Sequence, residues 1–260
     1  MVYLIHNIYM LVSIIIPYYK KQSYIKKTIY SILNQSYQKF EIIIVNDEPG
    51  KLSQNILSTL KKKDKRIKII NNSKNIGAGM SRNKAINFAK GKYIAFIDSD
   101  DLWKKNKLKM QINIMKKFNY NVSHTAYYII DKNDKKLGLR KSKNLNFESL
   151  KDSCDVGLST IIIKKMILKN DRLFSNFITK EDYYLWLKIA YHGEIFHYIN
   201  QPLSYWRKTH NSLSSSLIQK FIDSFKVYNH FEKNFIISIY RTIILSLNFI
   251  KKKKNDYRFL

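Results

Sequence analysis

Short apolar runs alternate with stretches of helical spacing between residues 12 and 97 of this 260-residue chain. Four runs are predominantly apolar, as strands buried on both faces are: residues 12–16, 41–45, 67–70 and 93–97. Between them, apolar residues recur at intervals of three and four, which predicts helices. Strands and helices that alternate over such lengths form parallel sheets with helices on both faces. We therefore predict an α/β fold with a mostly parallel, doubly wound sheet.

The remaining chain has a less regular pattern. A helix is predicted over residues 78–89, with Gly91 as its C-terminal cap. Further strands are predicted at residues 122–130, 138–141 and 159–163, and helices at 104–118 and 181–191. The stretch 217–250 predicts two more helices. We place a domain boundary near residue 215, which gives a catalytic-sized domain over residues 1–214 and a C-terminal helical extension over residues 215–260.

The chain is strongly basic, with 47 Lys and Arg against 19 Asp and Glu and a net charge of +28. Such a potential attracts polyanions and acidic lipid surfaces. The lysines are spread over the whole chain, however, and zinc-finger spacing, an Arg-rich arm and an RNP-like aromatic pattern are all absent from the sequence. We therefore expect no nucleic-acid partner. The single Cys154 excludes an internal disulfide and predicts an ordinary buried thiol.

Scarce negative charge is concentrated after the fourth strand, where Asp98, Asp100 and Asp101 lie within four positions. Carboxylates this close repel one another, so a cation or a set of donors must compensate them. Asp98-Ser99-Asp100 at a strand end suits Mg²⁺ or Mn²⁺, which take hard oxygen ligands and leave positions for substrate phosphates. The alternative is an exposed acidic turn in which Asp101 caps a helix that begins near Leu102.

Two further polar elements follow neighbouring strands. Asp47 ends the second strand, where a carboxylate can accept hydrogen bonds from a base or ribose, although an ordinary turn also fits. Gly77 and Gly79 precede a helix N-terminus that favours an anion, and Arg82 adds fixed positive charge. A simple glycine turn is the alternative. All these residues are expected at the carboxyl edge of the sheet, where ligands of such folds bind.

The motifs, taken in order, resemble those of the family 2 glycosyltransferases, which have the GT-A fold and transfer a sugar with inversion at the anomeric carbon. The resemblance covers about residues 12 to 210 and rests on VSIIIPYY, TIYSILNQSY, FEIIIVND, NIGAGMSRNKAI, GKYIAFIDSDDLW, EDYYLWLK and YWRKTH. Two positions depart from the family pattern: Lys20 replaces the usual Asn after Pro-x-Tyr, and Asp47 is followed by Glu48-Pro49-Gly50 instead of Gly-Ser.

The resemblance implies a donor site for a nucleotide diphosphate sugar. Pro17 and Tyr19 would flank the nucleobase, and Asp47 would bond a uracil-type base. Asp98 would approach the ribose, and Arg82 would lie near the donor. A UDP-sugar is therefore the expected donor.

The resemblance also implies a metal and a route for the leaving group. Asp100 would ligate Mn²⁺ or Mg²⁺ bridging the diphosphate, and His210 would reach the same metal. Arg207 would support the departing diphosphate.

On the acceptor side, the resemblance makes Asp182 the general base that takes the proton from the acceptor hydroxyl. Its place at a helix start is expected to keep it ionised. Glu181 and Trp103 are assigned to the acceptor side, although both carboxylates can also simply begin a helix and Trp103 can serve packing.

These expectations combine into one function: an inverting, metal-dependent glycosyltransferase that transfers a sugar to a glycan or lipid-linked acceptor in the synthesis of a cell-surface polysaccharide. A sugar nucleotidyltransferase is an alternative, because it shares a doubly wound sheet and an acidic metal site. A basic protein that binds nucleic acid or a membrane surface is another. We expect a cytoplasmic protein, either free or peripheral on the inner face of the membrane.

The C-terminal extension carries a pattern of its own. Four lysines at 251–254 follow a set of apolar residues on one helical face: Ile236, Ile239, Ile243, Leu247 and Ile250. This pattern predicts either a helix lying in the plane of a membrane or a helix packed on the catalytic domain.

Overall fold

A computed structural model describes residues 11–169, 171–209 and 216–256 of the chain. Its strands are, in chain order, β1 (Val12–Tyr18), β2 (Phe40–Asn46), β3 (Ile67–Asn71), β4 (Tyr93–Phe96), β5 (Leu102–Trp103), β6 (Val122–Ile130), β7 (Lys136–Arg140), β8 (Ile162–Lys164) and β9 (Phe196–Arg207). Its helices are α1 (Gln22–Leu33), α2 (Lys51–Lys63), α3 (Ala78–Phe88), α4 (Lys107–Lys117), α5 (Phe147–Asp152), α6 (Glu181–Tyr191), α7 (Leu217–Glu232) and α8 (Phe235–Asp256). The predicted α/β alternation is confirmed.

In the described part of the chain, nine strands form one sheet in the order β3-β2-β1-β4-β8-β6-β9-β5, with β7 paired to β6. Strands β1 to β4 are parallel, whereas β8 is antiparallel to both β4 and β6. The sheet is therefore mixed: β6 and β9 are also parallel to each other, whereas β7 and β5 pair antiparallel with β6 and β9. Apolar patterns report burial and not strand direction, so the sequence does not predict this change.

Alternate side chains of the central strands enter two cores on opposite faces of the sheet. Ile14 and Ile16 pack on one face with apolar residues of α1, α2 and α4. Ile15 and Ile43 pack on the other face with α3 and α6, whose Trp186 is completely buried. This arrangement places helices on both faces and leaves the carboxyl ends of β1 to β4 together at one edge.

The C-terminal helices pack on the second of these faces. Val227 and Tyr228 of α7 and Leu245 of α8 belong to the same apolar cluster as α6. The Tyr228 hydroxyl lies 2.9 Å from that of Tyr183 on α6. The division into a domain over residues 1–214 and an extension over residues 215–260 stays a prediction. Within the described ranges, none of the helices combines the length and the apolar character that crossing a bilayer requires.

Strand β9 is the longest strand described and was not predicted. Its middle reads Asn200-Gln201-Pro202, which is typical of a turn. The structure accommodates these residues as an irregularity, because the register between β9 and β6 shifts opposite Ala126. A β-bulge of this kind interrupts the local pattern without ending the strand.

Three local predictions were wrong in detail. The helix expected over 104–118 begins only at Lys107, because Leu102 and Trp103 instead pair with β9. The strand expected over 159–163 starts at Ile162, after a turn of 3-10 helix at Leu158–Thr160. Gly91 does not cap α3: a Cβ atom there would lie 2.6 Å from the backbone nitrogen of Ser13, so the close approach to β1 requires glycine.

Candidate active site

One loop and two helices converge at the carboxyl edge of β1 to β4. The loop after β4 carries Asp98 and Asp100, α3 carries Arg82, and the first turn of α6 carries Glu181 and Asp182. The ion pair between Arg82 and Asp98 confirms the expectation that polar residues from separate elements meet at this edge.

Arg82 links the loop after β4 to the start of α6. Its side chain is almost fully buried, and its two terminal nitrogens lie 2.8 Å from Asp98 Oδ1 and 2.7 Å from Glu181 Oε1. Burial alone would lower the pKa of the guanidinium, but the carboxylates of Asp98 and Glu181 outweigh it and raise that pKa. Because a buried cation must be paired, the position of Arg82 fixes the start of α6 against the end of β4.

The start of α6 also packs closely on the N-terminus of α3. At Gly79 a Cβ atom would collide with the backbone oxygen of Ser175 and would touch the side chain of Glu181. Asn83 of α3 exchanges two hydrogen bonds with the backbone of Phe174. The glycine after the predicted anion-binding turn therefore serves the approach of α6, a role that the sequence did not indicate.

Glu181 and Asp182 lie in an environment that disfavours charge. Burial raises the pKa of Glu181 to about 7, although Arg82 opposes the shift and Asp182 adds to it. Burial likewise raises the pKa of Asp182, against the attraction of Arg82. Asp182 Oδ1 accepts a hydrogen bond of 2.7 Å from its neighbour's backbone, the N–H of Tyr183. The helix start therefore does not by itself keep Asp182 ionised, which corrects the expectation drawn from the sequence.

The Asp98–Asp101 loop is held from several sides. Ser159 accepts from the backbone N–H of Asp98 at 3.1 Å and donates to Asp101 at 2.5 Å. Thr28 of α1 donates to the backbone oxygens of Ser99 and Asp101. Asp101 is buried and its pKa is raised, chiefly by burial and then by Asp100. The interpretation of Asp101 as a helix cap is therefore wrong: it is a buried group that shapes the loop.

Arg207 is also a support of this loop. Its buried guanidinium donates to the backbone oxygen of Asp100 at 2.8 Å and to that of Asp131 at 2.7 Å, and it forms an ion pair with Asp134. The side chain therefore has no surface turned toward a diphosphate in this structure. The role of leaving-group support, implied by the resemblance, is replaced by a positioning role.

Asp100 already has a cation beside it. The Nζ atom of Lys21, which follows β1, lies 2.6 Å from Asp100 Oδ2. Burial raises the pKa of Asp100, while Lys21 lowers it and Asp98 raises it. The expected positive compensation of the acidic cluster is thus provided by Lys21 and Arg82. Lys21 was missed, because one lysine does not stand out in a chain so rich in lysine.

The described residues suit a divalent metal only if substrate phosphates supply some of its ligands. Within the described ranges, no three side chains of His, Cys, Asp or Glu are grouped as a metal site would require. His210 lies outside the described residues, so its metal role stays a prediction. Mg²⁺ and Mn²⁺ are commonly held by one or two carboxylates together with substrate phosphates. Asp100 at the rim suits that arrangement.

Asp47 organises the glycine turn. It is only 2% exposed, and it accepts hydrogen bonds from the side chain of Asn72 at 2.8 Å, from the N–H of Ile76 at 2.8 Å and from the N–H of Gly77 at 2.9 Å. Its contact with a nucleobase stays a prediction, and so do those of the buried Pro17 and of Tyr19.

The two departures from the family pattern meet each other. Glu48 accepts a hydrogen bond from the backbone N–H of Lys20 at 3.1 Å and two from the side chain of Gln22. Tyr19 beside them is 38% exposed and its ring lies under the Lys20 ammonium. The rim next to the predicted base pocket is therefore ordered by Glu48, which the sequence marked only as a departure from the family pattern.

Trp103 does not lie on the acceptor side. It is 4% exposed, its indole nitrogen donates to the backbone oxygen of Ser159 at 2.7 Å, and the Lys107 ammonium lies 4.2 Å from its ring centre. A side chain so enclosed offers no surface to an acceptor, so its assignment to that side is corrected to packing.

The sequence profile described as Glycosyl transferase family 2 matches residues 13–176. The chain belongs to glycosyltransferase family 2. It is 34% identical over 250 residues to the UDP-Glc:alpha-D-GlcNAc-diphosphoundecaprenol beta-1,3-glucosyltransferase WfgD of Escherichia coli, covering 95% of this chain and 97% of that protein. It is 30% identical over 246 residues to the putative teichuronic acid biosynthesis glycosyltransferase TuaG of Bacillus subtilis, covering 94% and 97%.

Solved structures show the same fold. The complex of Staphylococcus aureus TarS 1-349 with UDP-GlcNAc superposes with a TM-score of 0.71 at 22% identity, covering 85% of this family 2 chain and 65% of that one. The mannosyltransferase PcManGT of Pyrobaculum calidifontis, in complex with GDP-Man and Mn²⁺, gives a TM-score of 0.61 at 15% identity, covering 85% and 63%. The fold is therefore the GT-A type that the motifs predicted.

Removing the Arg82 cation tests its role as the link between β4 and α6. We expect Arg82→Gln to lower the free energy of unfolding by about 3–5 kcal/mol, because it leaves the Asp98 and Glu181 carboxylates without their partner. Arg66→Gln is the matched control: it breaks the more exposed pair with Asp64 and should cost at most about 1 kcal/mol. Urea unfolding at neutral pH measures both, and equal losses would contradict this role.

Proposed function

We propose that this family 2 enzyme is an inverting glycosyltransferase that moves a sugar from a UDP-sugar to a hydroxyl of a lipid-linked glycan during synthesis of a cell-surface polysaccharide. The observation that carries the proposal is the buried Arg82, which brings Asp98 of the donor loop and the Glu181-Asp182 pair to one edge of the sheet. The proposed donor-side carboxylate, Asp98, and the proposed base, Asp182, thus come from different elements, and Arg82 keeps those elements close to each other.

Asp182 acts as the general base in this proposal. It takes the proton of the acceptor hydroxyl while that oxygen forms a bond to the anomeric carbon. The bond from the anomeric carbon to the diphosphate oxygen breaks, and its electron pair leaves with the nucleoside diphosphate. Attack from the face opposite the leaving group inverts the configuration. The raised pKa of Asp182 supports this role, because a base is most effective when its pKa is near the working pH.

The donor is proposed to lie along the ends of β1, β2 and β4. In this proposal, Pro17 and Tyr19 contact the nucleobase and Asp98 approaches the ribose. Asp47, which is held by the glycine turn, forms a hydrogen bond with the polar edge of the base. Arg82 acts by holding Asp98 and Glu181 in place. The choice of a uridine nucleotide is supported by the names of WfgD, which uses UDP-Glc, and of the TarS complex with UDP-GlcNAc.

Asp100 and His210 are proposed to hold Mn²⁺ or Mg²⁺ against the donor diphosphate. When bound, such an ion neutralises the charge that develops on the leaving diphosphate. The Mn²⁺ in the complex of PcManGT supports this choice of ion. On the protein side, Arg207 fixes the backbone at Asp100, and Lys21 balances the Asp100 carboxylate.

The acceptor class is proposed from the relatives. WfgD is named for a diphosphoundecaprenol-linked acceptor, and TuaG for teichuronic acid biosynthesis. An acceptor of this kind is anchored in a membrane, so we propose that the enzyme works in the cytoplasm at the inner face of the membrane. Glu181 lies on this acceptor side as the paired neighbour of the base.

Replacing the base tests the proposed reaction. We expect Asp182→Asn to lower kcat by about 10²–10⁴-fold with little change in donor KM, because the acceptor proton loses its destination. The assay follows UDP release with Mn²⁺ and a lipid-linked acceptor. The matched control is Asp171→Asn, which removes an exposed aspartate bonded to His192 and should leave kcat unchanged. A kcat for Asp182→Asn within tenfold of the wild type, or release of pyrophosphate instead of UDP, would count against the proposal.

The pH dependence of kcat/KM should reflect the raised pKa of the buried Asp182. Because the pKa of Asp182 is raised, the base becomes protonated at a higher pH than an ordinary aspartate does, so kcat/KM should fall as the pH drops well before about pH 4. Asp98→Asn removes a negative charge that helps to raise the pKa of Asp182 and should move this fall to lower pH. Circular dichroism over the same range controls for unfolding. A profile that stays flat down to about pH 4 would refute the assignment of a raised pKa.

Competition between Lys21 and the metal can be measured without catalysis. We expect Lys21→Met to bind Mn²⁺ several-fold more tightly than the wild type in the absence of nucleotide, because the ammonium no longer occupies the Asp100 carboxylate. Asp100→Asn should bind it more weakly, and Lys20→Met, which changes the adjacent lysine, should match the wild type. Electron paramagnetic resonance of free Mn²⁺ gives all four affinities. Unchanged binding in Lys21→Met would contradict the competition.

A further inference from the structure

Helix α8 packs on the domain through polar residues as well as through Leu245. Ser238 and Thr242 are completely buried. Arg241 pairs with Asp152, the side chain of Asn248 donates to the Asp152 backbone oxygen, and Lys252 contacts Asp155. A surface helix normally turns its apolar side to the protein and its polar side to water. The inward side of α8 instead combines these polar side chains with the buried Leu245 and the half-buried Ile239 and Ile244.

The opposite side of α8 is apolar and exposed. We call it the outer apolar face; its most exposed residue, Ile236, is 77% accessible, and its members are Ile236, Tyr240, Ile243, Leu247 and Ile250. Four of the five apolar residues noted in the sequence lie on it, whereas Ile239 is half-buried. Of the two sequence-based alternatives, packing on the domain is confirmed; the helix also presents an apolar stripe outward, and a place in the membrane plane stays a prediction.

Helix α7 adds to the apolar surface next to α8. Its exposed apolar side chains include Leu217, Ile218, Phe221 and Ile222. The rings of Phe225 and Phe235 lie 5.4 Å apart, so the two helices meet near their connection. Among the described residues, 12 of the 24 exposed large apolar side chains belong to α7 and α8. Clustered apolar exposure of this kind marks an interaction site, whereas scattered residues do not.

The positive charge next to the outer apolar face indicates what kind of partner it binds. Lys251 follows Ile250 and is exposed, and the sequence continues with three more lysines through residue 254. Helix α8 contains no acidic residue before Asp256, and the chain as a whole carries +28. An apolar stripe that ends in a lysine run fits the interface of a bilayer with anionic head groups, where apolar side chains enter the acyl boundary and lysines meet phosphate.

We infer that the outer apolar face of α8, with the neighbouring exposed residues of α7, docks the enzyme on an anionic phospholipid bilayer, with α8 lying in the plane of the membrane. This docking does not depend on the proposed reaction. It has a consequence for the site, because Asp223 of α7 accepts hydrogen bonds from the backbone and hydroxyl of Thr179, two residues before Glu181. The helix pair that meets the bilayer therefore also holds the turn that carries the proposed base.

Vesicle binding by the full-length protein tests the inference. We expect flotation with vesicles of phosphatidylcholine and phosphatidylglycerol, and much weaker flotation with phosphatidylcholine alone. The triple variant Ile236→Ser, Ile243→Ser, Leu247→Ser should lose at least tenfold in vesicle affinity. The matched control Leu52→Ser, Phe118→Ser, Met166→Ser removes three similarly exposed apolar side chains from other surfaces and should bind as the wild type does.

The lysine run is tested separately. Lys251→Gln, Lys253→Gln, Lys254→Gln should reduce affinity for the anionic vesicles by roughly fivefold per lysine and remove most of the dependence on salt. The control Lys61→Gln, Lys62→Gln, Lys63→Gln changes another run of three lysines, at the end of α2. Unchanged melting temperatures establish that each variant is folded.

Three results would overturn the inference. The first is wild-type protein that does not float with anionic vesicles, and the second is a serine triple variant that floats equally well. The third is a concentration-dependent dimer, seen by sedimentation, that the same triple variant dissociates while vesicle binding is absent; the face would then join two copies of the chain. Because neither measurement uses donor, metal or acceptor, failure here is distinct from failure of the proposed reaction.

Discussion

The candidate active site of this family 2 glycosyltransferase depends on one buried cation. Arg82 reaches Asp98 in the loop after β4 with one nitrogen and Glu181 at the start of α6 with another, over separations of 16 and 99 residues in the sequence. A guanidinium suits this task, because its planar fork serves two carboxylates at once and it stays charged when buried. Without it, the largely buried Glu181 and the partly exposed Asp98 would both lose the cation that pairs with them.

The rest of the site follows from gathering negative charge at one edge of the sheet. Lys21 pairs with Asp100. Ser159 and the backbone N–H of Arg207 donate hydrogen bonds to Asp101, and the side chain of Arg207 donates to the backbone oxygen of Asp100. The same burial that makes these partners necessary raises the pKa of Glu181 and Asp182. Stability of the loop and the basicity of the proposed catalytic residue therefore have a common physical cause.

The sequence predicted those features that depend on local pattern. Apolar runs located β1 to β4, helical spacing located α1 to α3 and α6, and the cluster after β4 indicated that positive charge must lie nearby. It missed β9, because Asn200-Gln201-Pro202 is typical of a turn and only the pairing with β6 keeps the strand continuous. It misjudged Trp103 and Arg207, because Trp103 is enclosed by Ser159 and β9 and Arg207 by the loops that carry Asp100, Asp131 and Asp134, which are all distant in the sequence.

What the sequence by itself determined is the family, the alternation of strands and helices, and the side chains available at the ends of the strands. Only the tertiary structure decided which of them pair: Arg82 with Glu181, Lys21 with Asp100, and Asp223 with Thr179. It also decided that α8 buries Ser238 and Thr242 and leaves a row of apolar side chains exposed on its outer side. Periodicity reports how a segment is shaped, whereas the partner of a charge and the side of a helix that is covered depend on residues far away in the chain.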